Sequence, residues 1–504
     1  MKKLFLILAL CLPGALLLAQ VNGDLQYFGD KAILQVWGSH YERGVAQGYL
    51  TAAGALNVFD QFYYAMFALS NADNYNYLLN YYLEHFDVDS RFQSEAQGMI
   101  AGMQQSGADI FHSGLQRNLD ANDLMLANAF LDMNFLRRAF TDQDLRLGCA
   151  SLSSWGVATQ QDSLLAGASV LTRWLDWTPL EVLISQPLLV VHHPSEPDEQ
   201  KWMGFGVPGF LGALTAISES GTWASLNLGN YHDASNYDGL DPVMFDLRRG
   251  VERLDYDSSG SPDALDLFAS ISGGTHLSGS IIHAMTENSA LTLHAVIETN
   301  NSGTVMRYPA DNGNLPDGHL AATNHFRLLT FPTCCTRYAN IVDSLTQNPH
   351  LTAKRQWRVL AGAAGREDNL TALQFTPSTG AILWASATTG EPAYQRPAIT
   401  LDANELFSYS VSAEDELAPP LSASLLCHPN PLRAGKALNI RSGRPLRQLR
   451  VYNLRGQLVL SRELQARRGT LTLDLPGLSS GIYLLRAVAE DGSWQNARIV
   501  LLKD

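Results

Sequence analysis

At 504 residues the chain is about three times a typical domain, and its 46% apolar and 17% charged composition supports a buried core and excludes a disordered chain. The net charge of -14 argues against a nucleic-acid partner. That charge is uneven: residues 425–504 carry 13 basic and 5 acidic side chains, a net of +8, against -22 for the remainder, which places a domain boundary near 420.

The chain starts with Lys2 and Lys3, an apolar run from Leu4 to Leu18, and Ala19. This reads as a signal peptide over residues 1–19, because the run is short of the ~20 residues that span a bilayer. No later stretch suits a stable membrane span. Cys11 leaves with the leader, and Cys149, Cys334, Cys335 and Cys427 are too sparse for a disulfide framework.

Apolar stripes predict helices over Glu42–Leu69 and Asn122–Phe140. Beyond residue 150 the pattern turns to strands at Leu164–Arg173, Val182–Val191, Trp202–Gly206, Leu211–Ile217 and Trp223–Leu228. Helices follow at Pro242–Leu254, with Asp241 as expected N-cap, and at Asp263–Ile271. Strands at Ser280–Thr286 and Leu291–Ile297 lead to helices over 335–346 and 353–362, then strands at Leu373–Phe375 and Ala381–Ser386. Antiparallel-looking strands interrupted by paired helices predict an α+β class, two sheets between helical layers.

A stalk over 411–424 leads to a strand-only module over 425–504, expected to be a small all-β, Ig-like sandwich. Its pieces are Pro429-Asn430-Pro431, Val451-Tyr452-Asn453 with Gly456-Gln457, Leu478-Ser479-Ser480-Gly481-Ile482-Tyr483, and a closing Ile499-Val500 with Lys503. In that order they resemble the type A C-terminal sorting domain of the type IX secretion system of Bacteroidetes-type bacteria. The resemblance implies export through the periplasm and outer membrane to the surface or medium, with the secretion machinery as partner. Gly477-Leu478-Ser479-Ser480-Gly481 also fits a nucleophile-elbow pattern, but a strand follows where the elbow needs a helix.

Cys149 sits where helical texture gives way to strands, in Leu147-Gly148-Cys149-Ala150-Ser151. Taken alone it suits a small buried residue as well as a nucleophile. Around it stand Trp155-Gly156, Leu165-Ala166-Gly167 and Arg173-Trp174-Leu175-Asp176-Trp177; upstream lie Gly38-Ser39-His40-Tyr41-Glu42-Arg43-Gly44 and Gln47-Gly48; downstream lies Thr323-Asn324-His325-Phe326 after Glu298. Together they resemble the N-terminal-nucleophile hydrolases of the isopenicillin-N acyltransferase and penicillin V acylase group.

That resemblance implies a four-layer αββα fold over residues 20–410. It implies a cut between Gly148 and Cys149 that separates 20–148, a propeptide or small subunit, from 149–410. The freed α-amine, with an ordinary pKa near ~8, then serves as base for the thiol. It makes Asp176 the partner of that amine, Asn324 a donor to the oxyanion, and Arg173 a pocket residue, although an odd offset puts Arg173 and Asp176 on opposite strand faces. Ser218 stands where the group has asparagine, with Asn227 nearby, and Arg337 is a candidate arginine by its nearness to Asn324. His192-His193 and His276 with His283 lack zinc spacing, and no glycine-rich phosphate loop follows a strand, so neither metal nor cofactor is expected. The implied activity is opening of a linear, non-peptide amide on a small-molecule substrate through an S-acyl intermediate, by hydrolysis or acyl transfer. The alternative is a non-catalytic surface-binding protein on a degenerate scaffold of the same fold.

Overall fold

A computed structural model describes residues 21–142, 148–232, 238–330, 332–409, 426–428, 432–433, 437–453, 457–475, 478–489 and 494–502. The expected signal peptide and the 411–424 stalk lie outside these. Residues 21–410 form one compact unit and the C-terminal strands belong to another.

In chain order the larger unit begins with β1 (Gly23–Phe28), β2 (Lys31–Gly38) and α1 (His40–Val58), which a π-helical stretch over Phe59–Phe67 prolongs. Then come α2 (Ala72–His85), α3 (Ser90–Gln105), the short β3 (Phe111–His112) and β4 (Arg117–Asn118), α4 (Ala121–Asn128) and α5 (Phe130–Met133). Next are β5 (Gly148–Ser154), β6 (Val170–Asp176), α6 (Glu181–Ile184), β7 (Leu188–Pro194), β8 (Trp202–Gly206), β9 (Thr215–Ser218) and β10 (Thr222–His232). The rest is α7 (Val243–Glu252), α8 (Ala264–Gly273), β11 (Ser278–Glu287), β12 (Thr292–Asn300), β13 (Gly303–Arg307), β14 (His319–Ala322), α9 (Thr336–Gln347), α10 (Ala353–Ala364), β15 (Asn369–Thr376), β16 (Ala381–Ser386), β17 (Ile399–Asp402) and α11 (Ala403–Phe407).

One sheet has the order β1-β2-β7-β8-β9-β10-β11-β12-β13, the other β14-β5-β6-β15-β16-β17. They face each other. Ile33, Leu189, Met203, Phe205 and Trp223 of the first share an apolar core with Leu171, Leu373, Phe375 and Trp384 of the second. Side chains alternate faces along each strand. Leu34, Val36, Leu188 and Val190 therefore point the other way, onto Ala46 of α1. On the second sheet Thr172 and Trp174 meet Gln356 and Trp357 of α10. The fold is thus of mixed α+β class, with helices against the faces that the sheets turn away from each other.

The glycine-rich start of α1 has a packing cause. A Cβ at Gly44 or Gly48 would overlap the carbonyls of Glu95 or Met99 in α3, and one at Gly98 or Gly102 those of Tyr41 or Val45 in α1. The two helices touch backbone to backbone. A buried charge network lies beside this crossing. His40 bonds Glu95 at 2.7 Å and Glu199 at 3.0 Å, Arg248 pairs with Glu95 and Glu252, and Arg43 pairs with Glu196 and Glu199. Burial opposes a charge on His40, but Glu199 and Glu95 outweigh it and raise its pKa to about 9.

Several expected boundaries move. The apolar stretch from Leu164 reaches strand geometry only at Val170, because Ala166 and Gly167 take positive φ and turn the chain. Val182–Ile184 form α6 before β7 begins. Asp241 does not cap α7: the cap position is Pro242, the Val243 N–H donates to Asp132 Oδ2 at 3.0 Å, and Asp241 pairs with Arg249.

The smaller unit consists of β18 (Leu426–His428), β19 (Leu432–Arg433), β20 (Leu438–Asn453), β21 (Leu458–Leu473), β22 (Gly481–Ala489) and β23 (Trp494–Leu502). The long β20 pairs with β18, β21 and β22 and shifts register between Ser442 and Gln448. Ile440, Leu449, Val451, Leu485 and Ile499 form its core. Gly481 opens a strand, so Ser479 has no helix behind it.

Candidate active site

β5 and β6 pair antiparallel, with Gly148 opposite Asp176, Cys149 opposite Leu175 and Ser151 opposite Arg173. Cys149, Leu175 and Arg173 therefore share the face between the sheets, and Asp176 ends β6 on the other face. The odd-offset expectation is what the register produces.

Cys149 is 2% exposed. Burial pushes its thiol pKa up, and the Arg173 guanidinium pulls it down. Arg173 Nη2 lies 3.9 Å from Cys149 Sγ and donates to the Leu226 carbonyl at 2.8 Å, while its Nε has no hydrogen-bond partner. Burial without a paired carboxylate lowers the pKa of Arg173 itself.

The backbone nitrogen of Cys149 is held as closely as its sulfur. Its N–H donates to Asn324 Oδ1 at 2.9 Å, and Asn324 Nδ2 donates to the Leu228 carbonyl at 2.7 Å. Arg337, in the first turn of α9, joins the cluster: it donates to the Cys149 carbonyl at 3.0 Å, to Asp176 Oδ2 at 3.3 Å and to Asn324 Oδ1. Asp176 also accepts from Asn369 Nδ2 at 2.9 Å. Burial raises the Asp176 pKa to about 6, against the pull of Asn369 and Arg337.

All four expected residues, Cys149, Arg173, Asp176 and Asn324, come together at one end of the β5–β6 pair. Sequence reasoning reached Arg337 only through its nearness to Asn324 and did not reach Asn369. Ser218 is elsewhere. Its Oγ accepts from the Thr222 N–H at 3.1 Å and bonds Ser220, closing the β9–β10 turn. Asn227 is the residue at the site. It lies between the two carbonyls that anchor Arg173 and Asn324, fully buried, with its Nδ2 on the Thr323 carbonyl and its Oδ1 unpartnered.

His283 faces β5 but is not poised as a base. Ser151 and Ser153 occupy both ring nitrogens at 2.8 and 2.9 Å, and burial holds its pKa well below the usual value. The site therefore pairs a buried thiol with a guanidinium, and His283 is not free to serve it as a base. Asn324 holds the amide nitrogen that a cut before Cys149 would turn into an amine, and Arg337 ties Asn324 to Asp176.

Among the described residues two groups bring three metal-ligating side chains together. His40, Glu199 and Glu252 are engaged by arginines. Asp255, Asp257 and Asp266 lie in the α7–α8 connection Asp255-Tyr256-Asp257-Ser258-Ser259-Gly260-Ser261-Pro262-Asp263-Ala264-Leu265-Asp266. It has oxygen-bearing side chains at the first, third, fifth, ninth and twelfth places and glycine at the sixth, a spacing able to hold calcium.

Residues 427–501 match the secretion system C-terminal sorting domain. The chain carries this export address, which directs it through type IX secretion to the surface or medium. Among the described residues no helix is long and apolar enough to cross a membrane. Protein dcd1B of Dictyostelium discoideum is 26% identical over 254 residues, 47% of this chain and 46% of that protein, so the chain spans about half the length of the curated relative it matches. Among solved structures, an N-acylethanolamine-hydrolyzing acid amidase ortholog from Caenorhabditis elegans is 17% identical, with TM-score 0.33, over 50% of this chain and 100% of that one. A mutant conjugated bile acid hydrolase from Clostridium perfringens is 8% identical, with TM-score 0.32, over 51% and 95%.

Proposed function

We propose that the chain is an exported N-terminal-nucleophile amidohydrolase or acyltransferase that matures by its own cut between Gly148 and Cys149. The observation that carries this is the grip on both ends of Cys149: Arg173 at the sulfur, Asn324 at the nitrogen, and Arg337 bridging the Cys149 carbonyl, Asn324 and Asp176. A cysteine that merely filled space would need none of them.

In maturation the Cys149 sulfur attacks the Gly148 carbonyl carbon. The peptide C–N bond breaks, the nitrogen takes up the thiol proton, and water then hydrolyses the thioester to leave the Gly148 carboxylate and a free thiol. In turnover the Cys149 amine takes the thiol proton and the sulfur attacks the substrate carbonyl. Asn324 keeps a second Nδ2 hydrogen for the oxyanion. The leaving amine departs with the proton, and water or a second amine removes the acyl group from sulfur. Asp176 balances the ammonium, and Arg337, which donates to both Asp176 and Asn324, holds those two acceptors in place. Two facing sheets with helices on their outer faces support the reading, and the C-terminal strands are proposed to close into a sandwich about their own core. Ser218 closes a turn and Asn227 lies beside the Asn324 segment, which supports the enzyme reading over a degenerate binding protein.

The test is the intact mass and N-terminal sequence of protein made in a protease-poor host. The expected result is a new terminus beginning Cys-Ala-Ser-Leu, absent in Cys149→Ala. A single uncut wild-type chain with an unreactive thiol would overturn the reading.

A further inference from the structure

Asn324 has to keep its side-chain oxygen on one backbone nitrogen, yet it stands in a stretch, residues 323–329, that is neither helix nor strand. Such a stretch has no ladder to fix it, and its amides need acceptors from elsewhere. Glu298 of β12 supplies one. Its Oε2 accepts from the N–H groups of Arg327, Leu328 and Leu329 at 2.9, 2.8 and 2.9 Å, and the Arg327 N–H also lies 3.0 Å from its Oε1. Three successive amides thus form a nest around an anion, and because that anion belongs to a strand, the nest is the part that is held in place.

The carboxylate is fixed in turn. It is fully buried, which is costly unless donors surround it, and Arg307 of β13 donates to its Oε1 at 3.0 Å. Arg307 also donates to the Ala321 carbonyl of β14 at 2.9 Å and to Asn312 Oδ1. The Glu298–Arg307 pair therefore grips the chain on both sides of Asn324, at β14 before it and at the 327–329 amides after it. The grip extends to α9. The Arg327 guanidinium lies 3.6 Å over the ring of Tyr338, the neighbour of Arg337, and Thr323 Oγ1 is 3.3 Å from Cys335 Sγ, just ahead of the helix. Asn324 and Arg337, which bond each other, share this one clamp.

We propose that Glu298 is a positioning residue for the cut before Cys149 and for the turnover that follows. It acts through the backbone it holds: it sets where Asn324 meets the Cys149 nitrogen and, by way of Arg327 and Tyr338, where Arg337 meets Asn324 and Asp176. The inference rests on the amidohydrolase reading above and adds a residue that the site needs but that lies outside it. A side chain that only filled the space under β14 would not have to present a carboxylate to three amides.

The experiment uses the full chain with Glu298→Gln, which keeps the size of the side chain and sets an amide donor among the backbone donors. In a Cys149→Ala background, hydrogen exchange of the residue-149 amide is expected to quicken about tenfold while the inner amides of β5 stay as they were. With Cys149 present, the cut, followed by intact mass after cell-free synthesis, is expected to slow about 10- to 100-fold at a temperature where the chain is folded. Leu267→Ala, a buried truncation in α8, serves as the control for lost stability and should change neither readout. Should Glu298→Gln fail to fold, Leu328→Pro carries the test: it removes one N–H from the carboxylate, leaves the pair with Arg307, and changes a side chain that is 45% exposed. It is expected to quicken the same amide. Unchanged exchange at residue 149, or a rise shared by all of β5, would overturn the role of Glu298 and leave the amidohydrolase reading standing if the wild type cuts. Selective loosening at residue 149 in a chain whose wild type never cuts would sink that reading and the catalytic role of Glu298 with it, and leave only its hold on Asn324.

Discussion

The amide N–H of Cys149 donates to the side-chain oxygen of Asn324 at 2.9 Å, across 175 positions of sequence. A side chain that accepts from this nitrogen fixes the orientation of the scissile bond before the cut. Afterwards it fixes the amine that serves the thiol.

Asn324 therefore has two separable parts. Asn324→Asp keeps an acceptor oxygen for the Cys149 nitrogen and removes the amide donor. It is expected to mature within about tenfold of the wild-type rate but to lose on the order of 10²–10³ in turnover. Asn324→Ala is expected to fail in both. The checks are the rate of appearance of the new terminus, followed by mass, and kcat on the best substrate. Equal maturation in the two variants would refute the positioning role.

Asp176 exchanges stability for function. In the uncut chain burial raises its pKa to about 6 from an ordinary 3.8, so its ionised form destabilises the fold. That penalty is full above about pH 6 and absent below 3.8, and its size is about 3 kcal/mol. In a Cys149→Ala background, Asp176→Asn should raise Tm at pH 7.5 and leave it unchanged at pH 3.5. In the wild-type background the same change should lower turnover at least a hundredfold. A lower Tm at pH 7.5 would contradict the assignment of that strain.

His40 should give the fold an alkaline limit. Its folded pKa of about 9 exceeds the ordinary 6.5, so its contribution is full below pH 6.5 and is lost as pH rises through 9. The loss is about 3 kcal/mol. Urea melts from pH 6.5 to 9.5 should show this decline in wild type and a flatter profile in His40→Gln. Parallel profiles would place the pH dependence elsewhere.

The export address should be separable from the chemistry. The larger unit has its own core, and no expected site residue lies beyond 410. A chain ending at Ala418 is expected to keep its kcat within about twofold and to remain in the periplasm. Fractionation and assay of purified protein decide this; normal release of the truncated chain would refute it.

Local pattern was legible where one principle acted alone. The strand at Trp202–Gly206 and the helix expected over Asp263–Ile271 both form, the latter as Ala264–Gly273 behind an Asp263 cap. Failures came where two signals competed. At Leu164–Ser169 an apolar run looks like strand, but Ala166 and Gly167 turn it; at Val182–Ile184 β-branched residues sit in one helical turn before β7. At the site, motifs found residues close to Cys149 on its own hairpin, and the Thr-Asn-His segment found Asn324. The sequence drew attention to Ser218, which closes the β9–β10 turn, whereas Asn227 on β10 lies between the carbonyls that hold Arg173 and Asn324, a position visible only once those partners are known. Arg337 reaches Asp176 across 161 positions, a distance no periodicity encodes.

The parallel pairing of β2 with β7 gives a cut after Gly148 a further meaning. β2 and α1 precede the cut and β7 follows it, yet they share one sheet and one core. The two pieces would part only if that sheet came undone. Once apart they would have to find each other by diffusion, without the connection that first brought β2 beside β7. Cutting would make folding a one-way event: the continuous chain holds the instructions for assembly, and the mature molecule keeps only the result. Chemically denatured mature protein should therefore recover little activity on dilution, whereas uncut Cys149→Ala should regain its native melt. A secreted protein that meets no chaperone after release then depends for its working life on the barrier to unfolding, not on the equilibrium.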